Sequence, residues 1–209
     1  MQFQDLYQGL IDMFGEAKCE LNYSNPYTLL VAVMLSAQCT DKRVNQVTPL
    51  LFDKYPTVND LAEARLKDVE YIVKSCGFYH NKAKNIIQAS KTLVDDFGGE
   101  VPNTLEDLIK LAGVGRKTAN VILAEVFNKP AIAVDTHVFR VSNRLGLSKS
   151  DNPNKCELDL MNAIPMKYWR SMHLLLVLLG RYVCKARTPM CDVCKLKKYC
   201  EDYNARDKR

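Results

Sequence analysis

The sequence has no apolar run long enough to span a membrane. Its two most apolar stretches, 27–37 and 172–180, are far short of the ~20 residues a transmembrane helix needs. It has no secretory leader: Met1-Gln-Phe-Gln-Asp5 carries no positive charge and no apolar core follows it. It has almost no strand pattern, the one candidate being the short 131–134, and no internal repeat or low-complexity tract. There are only three histidines and one tryptophan, Trp169. These shortages exclude membrane-spanning, exported, sheet-based, fibrous and disordered classes, and the expected location is cytoplasmic. Net charge is also missing from most of the chain. Residues 1–180 carry 20 basic and 20 acidic side chains, whereas residues 181–209 carry 9 and 4. The whole formal excess of +5 thus sits in the last 29 residues, either as a solvated basic tail or as a surface for a polyanion such as nucleic acid.

What is present is helical periodicity. Phe3, Leu6, Leu10, Ile11 and Phe14 mark an amphipathic helix. Asn25-Pro26 reads as a cap and first-turn proline opening a helix to about Gln38. Thr40-Asp41 opens another, in which Pro49 predicts a kink or a late start. Further helices are expected near Leu61, over 66–76, 80–97, 105–111 (with Glu106 completing a capping box from Thr104), 116–128 and 136–145, from Asn152-Pro153, and over 166–183. Most glycines fall at helix ends. The expected fold is all-α, with a domain boundary near Asn128-Lys129-Pro130.

Eight cysteines remain to be explained. Without an export signal a disulfide framework is not expected. Cys19, Cys39, Cys76 and Cys156 are scattered and read as reduced thiols packed in a core. Cys184, Cys191, Cys194 and Cys200 have the spacing C-x6-C-x2-C-x5-C, and four soft thiolates on one short loop suit zinc or an iron–sulfur cluster. Lys185, Arg187, Lys195, Lys197 and Lys198 crowd that loop; they offset the thiolate charge and leave a basic rim suited to phosphates.

The segment 111–119, Leu-Ala-Gly-Val-Gly-Arg-Lys-Thr-Ala, joins two expected helices. Gly113 and Gly115 permit a tight hairpin and a close approach of phosphate to backbone N–H groups. It is neither a Walker loop nor a dinucleotide fingerprint, because the spacing and a preceding strand are missing. An ordinary helix–helix turn fits the glycines equally well. Arg116 and Lys117, however, sit in a first helical turn, where the helix dipole disfavours cations. That cost points to a use for them.

Segment 111–119 resembles the helix–hairpin–helix of the endonuclease III family of DNA glycosylases. Val134-Asp-Thr-His137, with Arg140 and Arg144-Leu-Gly146, resembles the family's catalytic-aspartate segment; the four cysteines match its iron–sulfur loop; Leu35–Asp41 and Gly77–Lys82 resemble two segments that contact the duplex. The likeness runs from about residue 25 to 200. It implies two helical domains, a six-helix domain with the hairpin over 19–129 and a [4Fe-4S] cluster domain over 1–18 and 130–209, with the active site in the cleft between them.

The same resemblance implies a bifunctional glycosylase/AP lyase of base excision repair. It would act as a monomer on damaged double-stranded DNA, with oxidised pyrimidines as the expected lesions. Lys117 would be the nucleophile and Asp135 its proton-handling partner, although by position Asp135 reads equally as the cap of the helix at Thr136. Gln38 and Phe78 would fill the hole left by a flipped base, and Gly113, Gly115 and Arg116 would meet phosphates. Ala112 and Phe78 replace a proline and a leucine usual at those places. Two rival readings are a monofunctional relative, which Lys117 argues against, and a non-catalytic DNA-binding iron–sulfur scaffold, which would leave Lys117 and Asp135 without a task.

Overall fold

The structure, a computed structural model, describes residues 3–207. Among these there are twelve α-helices and no strand. The chain divides into two compact units, Cys19–Phe127 and Met1–Lys18 with Asn128–Arg209.

The unit Cys19–Phe127 is built around α2 (Pro26–Ser36), a helix apolar on every side, with nine of its eleven residues buried. Such a helix has no solvent face and must be surrounded. Its start is fixed by Asn25, whose side chain accepts from the Thr28 N–H at 2.9 Å while the Thr28 hydroxyl closes the capping box. It packs against α3 (Asp41–Lys54), α6 (Tyr79–Phe97) and α8 (Arg116–Glu125). α4 (Val58–Ala62) and α5 (Leu66–Val73) pack on α6, and α7 (Leu105–Leu108) on α8.

The second unit joins both ends of the chain. α1 (Phe3–Phe14) inserts Leu6 and Leu10 into a core shared with α9 (Thr136–Leu145), α10 (Pro153–Ala163) and α11 (Trp169–Leu178). The apolar segment 131–134 is buried without forming a strand, and its Ile132 and Val134 join that core. Trp169 is buried and donates to the Ile164 carbonyl at 2.8 Å. Gly9 of α1 lies so close to Leu196 that a β-carbon there would meet its Cδ2 at 2.6 Å.

Four local expectations need correction. α3 begins at Asp41 and runs through Pro49 to Lys54, because Pro49 is exposed and the helix is held by the buried Val44, Val47, Thr48 and Leu51. α7 is a single turn, and the Thr104 cap bonds Asp107 rather than Glu106. The stretch 166–183 is composite, with a 3-10 turn (Met166–Tyr168), α11, and a π-helical turn (Leu179–Val183) that delivers Cys184. The expected basic tail carries a last helix, α12 (Glu201–Asp207), packed on α9. None of the eight cysteines forms a disulfide; Cys76 and Cys156 are buried as expected, while Cys19 and Cys39 are only half-buried. No helix of the described residues is long and apolar enough to cross a membrane.

Candidate functional site

The hairpin between α7 and α8 is anchored by the buried Leu111 and Val114, whose N–H donates to the Leu111 carbonyl at 3.0 Å. The two glycines differ in what demands them. Gly113 has φ 76°, and a β-carbon would strike the Asn85 side chain at 2.8 Å, so both conformation and packing require glycine. Gly115, the N-cap of α8, has extended backbone (φ −95°, ψ 176°), and its missing β-carbon would meet nothing within 4 Å. Neither fold nor packing asks for glycine at 115; room in front of the backbone is what it provides. No side chain caps α8, so its first N–H groups are not met by a capping side chain. Arg116 and Lys117 stand exposed in this first turn.

Asp135 is the N-cap of α9. Its Oδ1 accepts the Val138 N–H at 2.7 Å, and the buried segment 131–134 fixes its approach. Lys117 belongs to the unit Cys19–Phe127 and Asp135 to the other.

Gln38 and Phe78 share an unusual backbone. Among the described residues only three non-glycine positions have positive φ: Gln38 (52°), Phe78 (46°) and Asn128 (50°). Left-handed backbone costs a non-glycine residue of order 1–3 kcal/mol and persists only where surrounding structure enforces it. Both Gln38 and Phe78 are exposed, Phe78 by 66%, a large apolar area to leave in water. Asn128, at the boundary of the two units, is held by Arg170, whose Nη1 donates to its Oδ1 at 2.8 Å.

The four clustered cysteines line one small hollow, walled by Leu145, Leu179, Val183, Pro189 and Met190. Burial pushes the Cys194 and Cys200 thiols up, and Cys184, Cys191 and Cys200 all reinforce the effect at Cys194. Among the described residues no three histidine, cysteine, aspartate or glutamate side chains converge closely enough to hold a single metal ion. Lys197 is partly committed, pairing with Asp192 at 3.2 Å and lying 4.7 Å over the Tyr203 ring; Lys198 lies 4.6 Å over Tyr199.

Residues 31–166 match the family model of the HhH-GPD superfamily base excision DNA repair proteins. The chain is 50% identical over 199 residues to Endonuclease III of Bacillus subtilis (strain 168), covering 95% of this chain and 91% of that protein. It is 48% identical to Endonuclease III of Synechocystis sp., covering 92% and 89%. This chain belongs to the endonuclease III family. A solved structure described as a trapped Endonuclease III-DNA covalent intermediate superimposes with a TM-score of 0.92 at 45% identity, covering 99% of each chain.

For an endonuclease III relative, a multi-iron cluster is the group to test against the hollow. The donor set fits it: four soft thiols, an apolar wall, and Arg144 donating from Nη1 to the Cys184 sulfur at 3.4 Å. Two arginines that the sequence places only with the aspartate segment hold this loop. Arg140 donates to the Gly180 carbonyl (2.8 Å) and the Cys184 carbonyl (3.1 Å). Arg144 donates to the Lys185 and Ala186 carbonyls at 2.8 Å each. Both arginines rise from α9, the helix Asp135 caps. Sequence reasoning passed over Lys82. It is buried at 7% exposure, and its Nζ donates to the carbonyls of Leu35 (2.9 Å) and Cys76 (2.7 Å). The signal for it was a lysine near the start of α6, where the dipole disfavours positive charge, the same misplacement that singled out Lys117.

Proposed function

We propose that Lys117 is the nucleophile of this chain, a DNA glycosylase and abasic-site lyase of base excision repair. The neutral amine attacks C1′ of a damaged nucleoside, forming an N–C1′ bond as the bond to the base breaks. The base leaves with the electron pair and takes up a proton. The attacking nitrogen then sheds its extra proton and the C1′–O4′ bond breaks, O4′ taking up a proton; the resulting imine acidifies C2′, and loss of that proton with expulsion of the 3′ phosphate nicks the strand. Asp135 is assigned the proton-handling role and the steadying of developing positive charge. Gln38 and Phe78 enter the duplex where a base has left it, and oxidised pyrimidines in double-stranded DNA are the substrate class. The reading also takes the protein to act as a monomer in the cytoplasm at the nucleoid.

The observation that carries the reading is the hairpin: an exposed lysine in an uncapped first turn, behind a glycine that the fold itself does not require. A panel of duplexes, each with one defined lesion, tests it. With borohydride, the abasic and oxidised-pyrimidine duplexes should yield a covalent protein–DNA adduct; without it, a nicked strand. A chain that cleaves none of them is the non-catalytic scaffold, and one that releases base without nicking is a monofunctional glycosylase.

Cys184, Cys191, Cys194 and Cys200 are the residues that would hold a [4Fe-4S] cluster. When bound, it supplies a redox-active centre and ties four points of the loop together. Purified protein should then be brown and contain about four irons per chain. Cys191→Ser should lower the iron content and loosen the loop against proteolysis. Colourless protein with one zinc would overturn the assignment.

The hairpin N–H groups, Arg116 and the basic rim should meet phosphates without reading sequence. Affinity for undamaged duplex should fall by ~0.9 log units per tenfold salt for each phosphate neutralised. Lys195→Ala and Lys198→Ala should weaken binding and flatten that slope with little change in the chemical step. Lys197→Ala should matter less, because Asp192 already pairs with that ammonium. Affinity indifferent to salt would rule the phosphate reading out.

A further inference from the structure

We infer that Lys82 is the positioning residue that sets both duplex-entering loops together. The two exposed left-handed residues lie on separate segments of the chain, 40 positions apart, and each is preceded closely by a carbonyl bonded to the same ammonium. Leu35, whose carbonyl accepts from Nζ, lies three residues before Gln38; Cys76, whose carbonyl also accepts, lies two residues before Phe78. The Leu35 carbonyl belongs to the last turn of α2, where intrahelical donors have run out, and Cys76 ends a 3-10 turn. A cation from a third element, α6, thus satisfies the exits of two others.

This lysine is ill suited to a merely structural post. Burial holds its ammonium below the usual lysine range, against the opposing pull of the neighbouring Cys39 and Cys76 thiols. An apolar side chain of like length would fill the same space without that penalty. What it would not do is hold two carbonyls at fixed distance from one point. Gln38 and Phe78 can enter one base-pair gap together only if their backbones keep a set spacing, and left-handed backbone relaxes when unsupported. Lys82 supplies both the support and the spacing.

The inference rests on the reading of Gln38 and Phe78 as duplex-entering residues, and its test keeps the two apart. Lys82→Met and Lys82→Gln are compared with wild type, with Phe78→Ala and Gln38→Ala run alongside. Three readouts are taken: melting temperature; single-turnover excision from a paired lesion, with a 2-aminopurine neighbour reporting base extrusion; and β-elimination at an abasic site in single-stranded DNA, where no gap has to be filled. The expected result is a folded Lys82→Met protein that loses at least tenfold in paired excision and most of the 2-aminopurine signal, with less than twofold change on the single strand. Lys82→Gln, with one donor group, should fall between. Equal loss on both substrates, no loss on either, or failure of both Lys82 variants to fold overturns the inference. If Phe78→Ala and Gln38→Ala leave paired excision and extrusion intact, the duplex-entry reading fails and the inference with it. If they lose both while Lys82→Met keeps both, only the role of Lys82 fails.

Discussion

Lys117→Gln protein will fold, bind abasic duplex and do nothing to it. Glutamine keeps most of the side-chain length without a nucleophilic amine. Strand cleavage should fall by at least ~10⁴-fold, the scale of losing a covalent nucleophile, and borohydride should trap no adduct. Stability should move the other way. Lys117 is exposed in the first turn of α8, where a cation opposes the helix dipole, and such a charge costs roughly 0.3–1 kcal/mol. The variant should therefore melt at or slightly above wild type. An inactive protein of undiminished stability marks a residue kept for chemistry. A trapped adduct at wild-type yield would show that another amine attacks, and the assignment of Lys117 would fall.

Asp135→Asn should slow base excision by about 10²–10⁴-fold, the range usual for losing a positioned acid–base group, while leaving the fold alone. The reason lies in the cap. Asp135 Oδ1 accepts the Val138 N–H, and an asparagine carbonyl oxygen can accept the same bond. Asparagine and aspartate serve about equally at this position, whereas alanine costs ~1 kcal/mol. Asn and Ala variants thus separate the two jobs. Both should be slow in single-turnover excision, and only Ala should melt measurably lower. If Asn excises at the wild-type rate, Asp135 is a cap and nothing more.

What could be read in the sequence was whatever is decided within a few residues. The caps at Asn25 and Asp135 are settled by side chains bonding three positions on, and Gly146 ends α9. The family segments were legible for the same reason: hairpin, aspartate and cysteine loop are each contiguous. Illegible features depend on what packs where. Pro49 does not delay the start of α3, because it faces water while Val44, Val47, Thr48 and Leu51 hold the helix from its buried side. The π-helical turn before Cys184 fits a loop pulled into place by Arg140 and Arg144, 40-odd residues earlier. α12 is held by Asp202 against Arg144, which charge counting had read as a tail. The misplaced charge near the start of α6 marks Lys82, but its task is not legible locally, since one of its two carbonyl partners lies 47 positions away.

The contact between Gly9 and Leu196 has a consequence for how the chain is made. α1 finishes its docking against a residue that appears much later in synthesis. At ~5–20 residues per second, α1 waits on the order of 10–40 seconds for that neighbour. Its Leu6 and Leu10 stripe gains cover from α9, α10 and α11 on the way and is completed only at Leu196, while every residue of the unit Cys19–Phe127 has long since been delivered. A chain cut short before Leu196 therefore leaves α1 incompletely packed, a flaw far from the cut itself.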